Sequence, residues 1–181
     1  MTTATAPQIA AGTYASDPVH SVVNFKVRHF GITWLRGGFA NFDVKLVVAE
    51  DGAKLEGSTP VEGIAFPNEQ LHGHLMSPDF FDAQLHPTLS FTSSDVTLAD
   101  GGSATVRGEL TMRGVTRPVE LTGNWNGPVE DMGGAQRIGL ELAGEVDRHD
   151  FGIAWEAKLA GGQDVLGRTV RIEGEFELAR A

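Results

Sequence analysis

From Gly12 onward apolar and polar residues alternate with period two, which predicts strands with one buried and one wet face. Ser21, Val23, Phe25, Val27 and His29 share one face, and Val22, Asn24, Lys26, Arg28 and Phe30 share the other. The pattern returns at Phe42, Val44, Leu46 and Val48, then at Ala104, Val106, Gly108, Leu110 and Met112. It recurs at Val119, Leu121, Gly123 and Trp125, at Ile138, Leu140, Leu142, Gly144 and Val146, and at Val170, Ile172, Gly174, Phe176 and Leu178. The positions between them are mostly Glu, Lys, Arg, Thr and Asn. One-sided strands of this kind belong to antiparallel sheets rather than to doubly buried parallel ones.

Turn clusters separate the runs at residues 50–52, 100–102, 114–118, 126–128 and 132–134. One stretch departs from period two. Asn68 is placed to cap a helix carrying Leu71 and Leu75 at i, i+4, and Ser77-Pro78 predicts a second short helix over Asp79–Asp82. Two short helices inserted in a meander can plug or cover a barrel. The architecture predicted is an up-and-down antiparallel barrel or sandwich of about eight strands.

Composition narrows the chemistry. Of 181 residues 23 are Gly, about twice the usual share of about 7%. No G-X-Y period accompanies them, so turns, bulges and strand bends are their expected use. Cysteine is absent, which removes disulfides, thiolate nucleophiles and Cys-based metal sites. The net charge of −10 argues against nucleic acid as a partner, since phosphate contacts need a basic footprint. No run approaches the roughly 18 apolar residues of a spanning helix. The first ten residues lack a basic and apolar leader, so the chain reads as cytoplasmic, and a periplasmic or secreted chain with its leader removed would read the same. Residues 1–11 read as a flexible tail and 12–181 as one domain.

The inward faces are aliphatic and aromatic, and more aromatics stand at strand ends and connections, including Trp34, Phe39, Phe66, Phe80, Phe81, Phe151 and Trp155. A barrel of about eight strands is filled by its side chains or holds one slender ligand. Inward Gly108, Gly123, Gly144 and Gly174 either leave room for such a ligand or mark bends at barrel corners. His29 ends its strand on the inward face, as a core histidine or as a polar group at a channel mouth. His72 and His74 are the pair with metal-ligand spacing, but on a helix they diverge by about 200°. No nucleophile, phosphate-loop or dinucleotide motif is present. No catalytic residue, metal or cofactor is assigned on these grounds. The competing reading is a metal-dependent enzyme using His72 and His74 with His20 or His86 on a small hydrophobic molecule.

Several ordered segments resemble the YceI-like family of polyisoprenoid-binding, lipocalin-like barrels. They are Gly12-Thr-Tyr14 with Asp17-Pro-Val-His20-Ser21, Val23-Asn-Phe25-Lys-Val27-Arg-His29 and Gly37-Gly-Phe39-Ala-Asn-Phe42. Asn68 to Leu75, Ser77 to Asp82, His86-Pro87 and Phe91-Thr-Ser93 follow, then Gly108 to Val119 and Arg148-His-Asp-Phe151-Gly152. Each is short, and their order across residues 12–178 makes the resemblance specific. His86 stands where the family commonly has Tyr before Pro.

The resemblance implies an elongated eight-stranded antiparallel barrel with a short helical insertion near residues 68–84 and an apolar channel for an isoprenoid chain, such as a polyprenyl phosphate or quinone. Pattern and resemblance together put the ligand contacts at Phe25, Val27, His29, Trp34, Phe39, Phe42, Leu75, Phe80, Phe81, Phe91, Leu110, Met112, Trp125 and Phe151. Arg28, Arg113 and Arg148 are candidate head-group donors, although alternation turns Arg28 and Arg113 outward. An exposed edge or loop face would serve a homodimer.

Overall fold

The structure is a computed structural model that describes residues 9–66 and 68–181, so most of the expected tail lies outside the described residues. Eleven strand segments form: β1 (Gly12–Ser16), β2 (Val22–His29), β3 (Thr33–Phe39), β4 (Asp43–Ala49), β5 (Gly52–Pro60), β6 (Ile64–Ala65), β7 (Thr88–Leu98), β8 (Ser103–Met112), β9 (Val115–Glu130), β10 (Gln136–Asp147) and β11 (Leu166–Arg180). Among the described residues one α-helix, α1 (Glu69–Met76), lies between β6 and β7.

The eleven segments build eight staves. β1 and β2 pair successive stretches of β11, through Tyr14–Ser16 against residues 178–180 and Val22–His29 against residues 166–175. β4 and β3 pair with β1 and β2, and β5 and β6 pair with β4 and β3. Each of these three staves is therefore one strand broken midway. The β1–β2 break stays fastened to β11, because the Asp17 N–H donates to the Glu177 carbonyl at 2.8 Å. β7 to β11 complete the order, all neighbours are antiparallel, and the β1–β11 pairing closes the barrel.

Alternation places the side chains as expected. On β8 Ala104, Val106, Gly108 and Met112 are buried and Arg107 and Glu109 are exposed. On β10 Ile138, Leu140, Leu142 and Val146 are buried and Glu141 and Glu145 are exposed. The β8–β9 turn is tighter than the 114–118 cluster suggests. Met112 pairs with Val115, and the two residues between them, Arg113 and Gly114, both have positive φ. That is the backbone twist which matches a two-residue hairpin to its strands. Pro118 then sits inside β9, beyond the last β9–β10 pair at Thr122 and Ala143, so no ladder bond on that side needs its missing N–H.

Three other expectations are corrected. Residues 126–128 are not a turn; β9 runs through them, and a register shift opposite Arg137 to Gly139 absorbs the irregularity. Asp79–Asp82 forms hydrogen-bonded turns rather than a helix, with the N–H groups of Phe80 and Asp82 both donating to the Ser77 carbonyl. Gly123 and Gly144 do not hold space open. A Cβ on Gly123 would run into the Glu141 carbonyl of β10, and one on Gly144 would stand 2.8 Å from the Glu120 carbonyl. On Gly174 it would meet the Phe176 ring at 2.5 Å. These glycines let backbones and rings approach closely.

The core divides along the barrel axis. At the end bearing the β4–β5, β7–β8 and β9–β10 turns, Tyr14, Leu46, Val106, Ile138, Leu140 and Leu178 are fully buried against one another. At the other end a second cluster joins Val61, Leu75, Phe80, Phe81, Met112, Val119, Val146, Phe151 and Ile153.

Candidate binding site

Between the two clusters lies a cavity of about 320 Å³. A void of about 150 Å³ lined by Leu, Ile and Phe stays dry and takes benzene, so this one accepts on the order of a dozen carbon atoms. Its floor is formed by Val44, Leu55, Phe91, Leu121, Leu142 and Phe176, which line it and pack against the closed-end core. The next inward residues toward the closed end, Leu46, Val106, Leu140 and Leu178, belong to the packed core and do not line it. The cavity is therefore blind. Phe42 and Phe176 meet edge to face across this floor, with centroids 6.2 Å apart.

The opposite end is capped. Asn68 Oδ1 accepts the Leu71 N–H at 2.9 Å, so the expected N-cap sets the start of α1. The helix turns Leu71, His74 and Leu75 toward the cavity, and Phe80 and Phe81 follow from the turns after it. The loop between Gly152 and Val165 brings in Ile153 and Trp155 from the other side. His74, Phe80 and Trp155 join the two halves of the cap, with ring centroids 4.8–5.6 Å apart. His74 Nε2 also lies 3.1 Å from Asp79 Oδ2.

Of the residues expected to contact a ligand, Phe25, Val27, His29, Phe39, Phe42, Leu75, Phe80, Phe81, Phe91, Leu110 and Met112 line the cavity. Trp34, Trp125 and Phe151 do not. Trp34 pairs with outward Arg28 and packs outside the barrel, 4.0 Å beneath that guanidinium and 5.5 Å from Lys26 Nζ. Trp125 packs against the closed-end core, opposite Leu140, and its Nε1–H donates to the Ala99 carbonyl at 2.8 Å. Phe151 is buried in the mouth-end core behind the cavity wall.

The alternation also contained Val23, Val119, Val146, Val170 and Ile172, which line the cavity as well. Trp155 and Ile153 come from a loop without periodicity and carried no such signal. Of the three candidate donors, Arg28 is on the outside with Trp34, and Arg113 Nη1 donates to the Phe80 and Gly152 carbonyls at 3.0 and 2.8 Å. Arg148 is buried and lines the cavity.

The YceI-like domain matches residues 14–178. The chain belongs to the YceI-like family. A UPF0312 protein of Ectopseudomonas mendocina is 30% identical over 172 residues, covering 92% of this chain and 89% of its own. The barrel is similar in structure to Burkholderia cenocepacia BcnA, with a TM-score of 0.72 at 18% identity over 92% of this chain and 99% of that one. It is also similar to a polyisoprenoid binding domain from Saccharophagus degradans, with a TM-score of 0.66 at 13% identity over 95% and 100% of the two chains.

In this YceI-like barrel the histidines do not converge on a metal geometry at the cavity. His72 and His74 sit two residues apart on α1 and point different ways. Among the described residues the one grouping with metal-ligand spacing is Asp17, His20 and Glu177. A cation is already there, for Arg137 Nη1 lies 3.0 Å from Asp17 Oδ2 and 2.6 Å from Glu177 Oε1. No helix among the described residues is long and apolar enough to cross a membrane.

Proposed function

We propose that the protein binds an isoprenoid lipid in the barrel cavity and thereby sequesters or carries it. The observation that carries this reading is a blind, aliphatic and aromatic cavity of about 320 Å³, partly covered by α1, the following turns and the 152–165 loop. Branched, uncharged prenyl chains suit walls of Phe, Leu and Val. Burying about a dozen carbons at about 0.8 kcal/mol each supplies about 10 kcal/mol of gross driving force before the entropic costs of binding. Membership of the YceI-like family and the likeness to a polyisoprenoid binding domain support the same ligand class.

Native mass spectrometry and organic extraction of protein purified without detergent test it. A stoichiometric prenyl lipid is the expected result. Protein that is empty, and that fails to take up added farnesyl-chain lipid, overturns the proposal.

A further inference from the structure

Arg148 opens the one-turn 3₁₀ segment after β10 and is only 3% exposed. Its Nε donates to the Gly167 carbonyl at 2.8 Å, Nη1 to the Ile153 carbonyl at 2.7 Å and Nη2 to the Leu166 carbonyl at 3.4 Å. A guanidinium has five N–H donors. One N–H on each terminal nitrogen therefore has no acceptor among the described residues. No carboxylate among them pairs with it either. The nearby acids are engaged elsewhere: Asp147 with Arg168 at 2.7 Å, Asp164 with Lys158, and Glu156 with His149 at 3.6 Å.

A buried charge is costly unless it is paired and fully hydrogen-bonded. Desolvation holds the Arg148 pKa below its ordinary value. The carbonyls fix where the side chain lies, and that place is the wall of an otherwise apolar cavity. His29 lines the same end, stacked on Phe30, and its register partner is Leu166, the residue whose carbonyl Arg148 Nη2 reaches. Two polar side chains that line the cavity are thus linked through Leu166, and aromatic floor residues stand toward its closed end.

We infer that Arg148, with His29 beside it, is a head-group subsite for an oxygen acceptor at one end of the bound lipid, either a phosphate oxygen or a quinone-type carbonyl. The head enters the cavity under the cap rather than remaining in solvent, and the prenyl tail runs toward Phe42 and Phe176. The free N–H of each terminal nitrogen supplies the fork that a planar or tetrahedral oxygen group accepts. The inference rests on the lipid-binding reading above and adds the ligand's polarity and direction to it.

The test compares three probes with one C15 prenyl chain, namely farnesene, farnesyl monophosphate and a farnesylated benzoquinone, by calorimetry on the full chain. At least one headed probe should bind on the order of tenfold more tightly than farnesene. In Arg148→Gln that advantage should disappear while farnesene affinity holds. The two sources are told apart by which headed probe, the phosphate or the quinone, carries the advantage that Arg148→Gln removes. Because Arg148 also fastens three backbone carbonyls, His29→Phe provides a variant free of that duty, and it should reduce the same advantage. Equal binding of all three probes to the unmodified protein overturns the subsite alone. A folded Arg148→Gln that keeps the advantage does so too. Binding of none of the probes overturns the lipid reading with it.

Discussion

Arg113 Nη1 stands 3.0 Å from the Phe80 carbonyl oxygen, which fastens the tip of the β8–β9 hairpin to the cap of the cavity. The same nitrogen reaches the Gly152 carbonyl at 2.8 Å, so one side chain holds both halves of the cap. The positive φ of Arg113 aims it there, where an ordinary strand position would direct it elsewhere. Hydrogen bonds from a charged donor contribute about 1.5–3 kcal/mol each when shielded and less in contact with water. Arg113→Met should therefore leave the barrel folded but loosen the cap. Amide exchange at residues 77–83 should accelerate, and dissociation of a bound prenyl lipid should speed up by about tenfold. Unchanged exchange in that segment would show that the aromatic contacts of His74, Phe80 and Trp155 hold the cap alone.

Phe176 sets where the cavity ends. Its ring covers Gly174 and meets Phe42 at 6.2 Å, beside its register partner Leu140 and against the core that holds Leu178. Phe176→Ala removes the floor without touching the cap. Buried Phe→Ala changes cost about 3–5 kcal/mol, and the half-buried position here puts the loss at the lower end. Chain-length preference should move toward longer prenyl tails, read from competition between C10, C15 and C20 alcohols. If preference stays fixed while stability falls, the cap and not the floor measures the chain.

The staves and their inward faces were legible where period two survives, as in Val23–His29 and Val170–Leu178, whereas β5 and β7 carried no such pattern and β7 shifts register between Ser93 and Asp95. The cap was only half legible. Asn68, Leu71 and Leu75 carried a helix signal, whereas Trp155 and Ile153 lie in a loop whose placement follows from anchors distant in sequence. One of these anchors is the bond from the Phe30 N–H to the Val165 carbonyl at 2.9 Å. Trp125 misses the cavity because alternation gives the face and not the depth along the barrel axis. Arg148 could be named but not placed, since burial of a guanidinium depends on carbonyls of residues 153, 166 and 167 converging on it.

The glycines divide by what surrounds them, and two substitutions separate the cases. A Cβ on Gly123 collides with the backbone of β10 at Glu141, which cannot move without breaking the ladder. Overpacking of this kind costs about 1–3 kcal/mol, or roughly 2–10 °C in Tm for a domain of this size. Gly73 lies inside α1 with nothing within 4 Å of an added Cβ among the described residues. Gly73→Ala should raise stability of the helix by about 0.8–1 kcal/mol through propensity alone. Thermal melts that move in opposite directions for the two variants are the expected outcome. A neutral Gly123→Ala would mean that β9 and β10 can separate at that pair.

Acid should loosen the closed end before the cap. Arg137 gathers Asp131 at 2.7 Å, Asp17 at 3.0 Å and Glu177 at 2.6 Å, joining the β9–β10 turn, the β1–β2 break and β11. The Val19 N–H and then Arg137 hold the Asp17 carboxyl well below its ordinary value of 3.8. Arg137, with the Ala135 and Gly133 N–H groups, likewise lowers Asp131. A carboxylate whose folded pKa is depressed contributes stability above its unfolded pKa and loses it as pH falls toward the folded one. Stability from this cluster is therefore complete above about pH 5 and drains away below about pH 4. Arg137→Gln should lower Tm at neutral pH and flatten its dependence on pH between 4 and 2, so that the two melting curves converge in acid. Parallel curves across that window would show that backbone N–H groups, and not Arg137, carry the linkage.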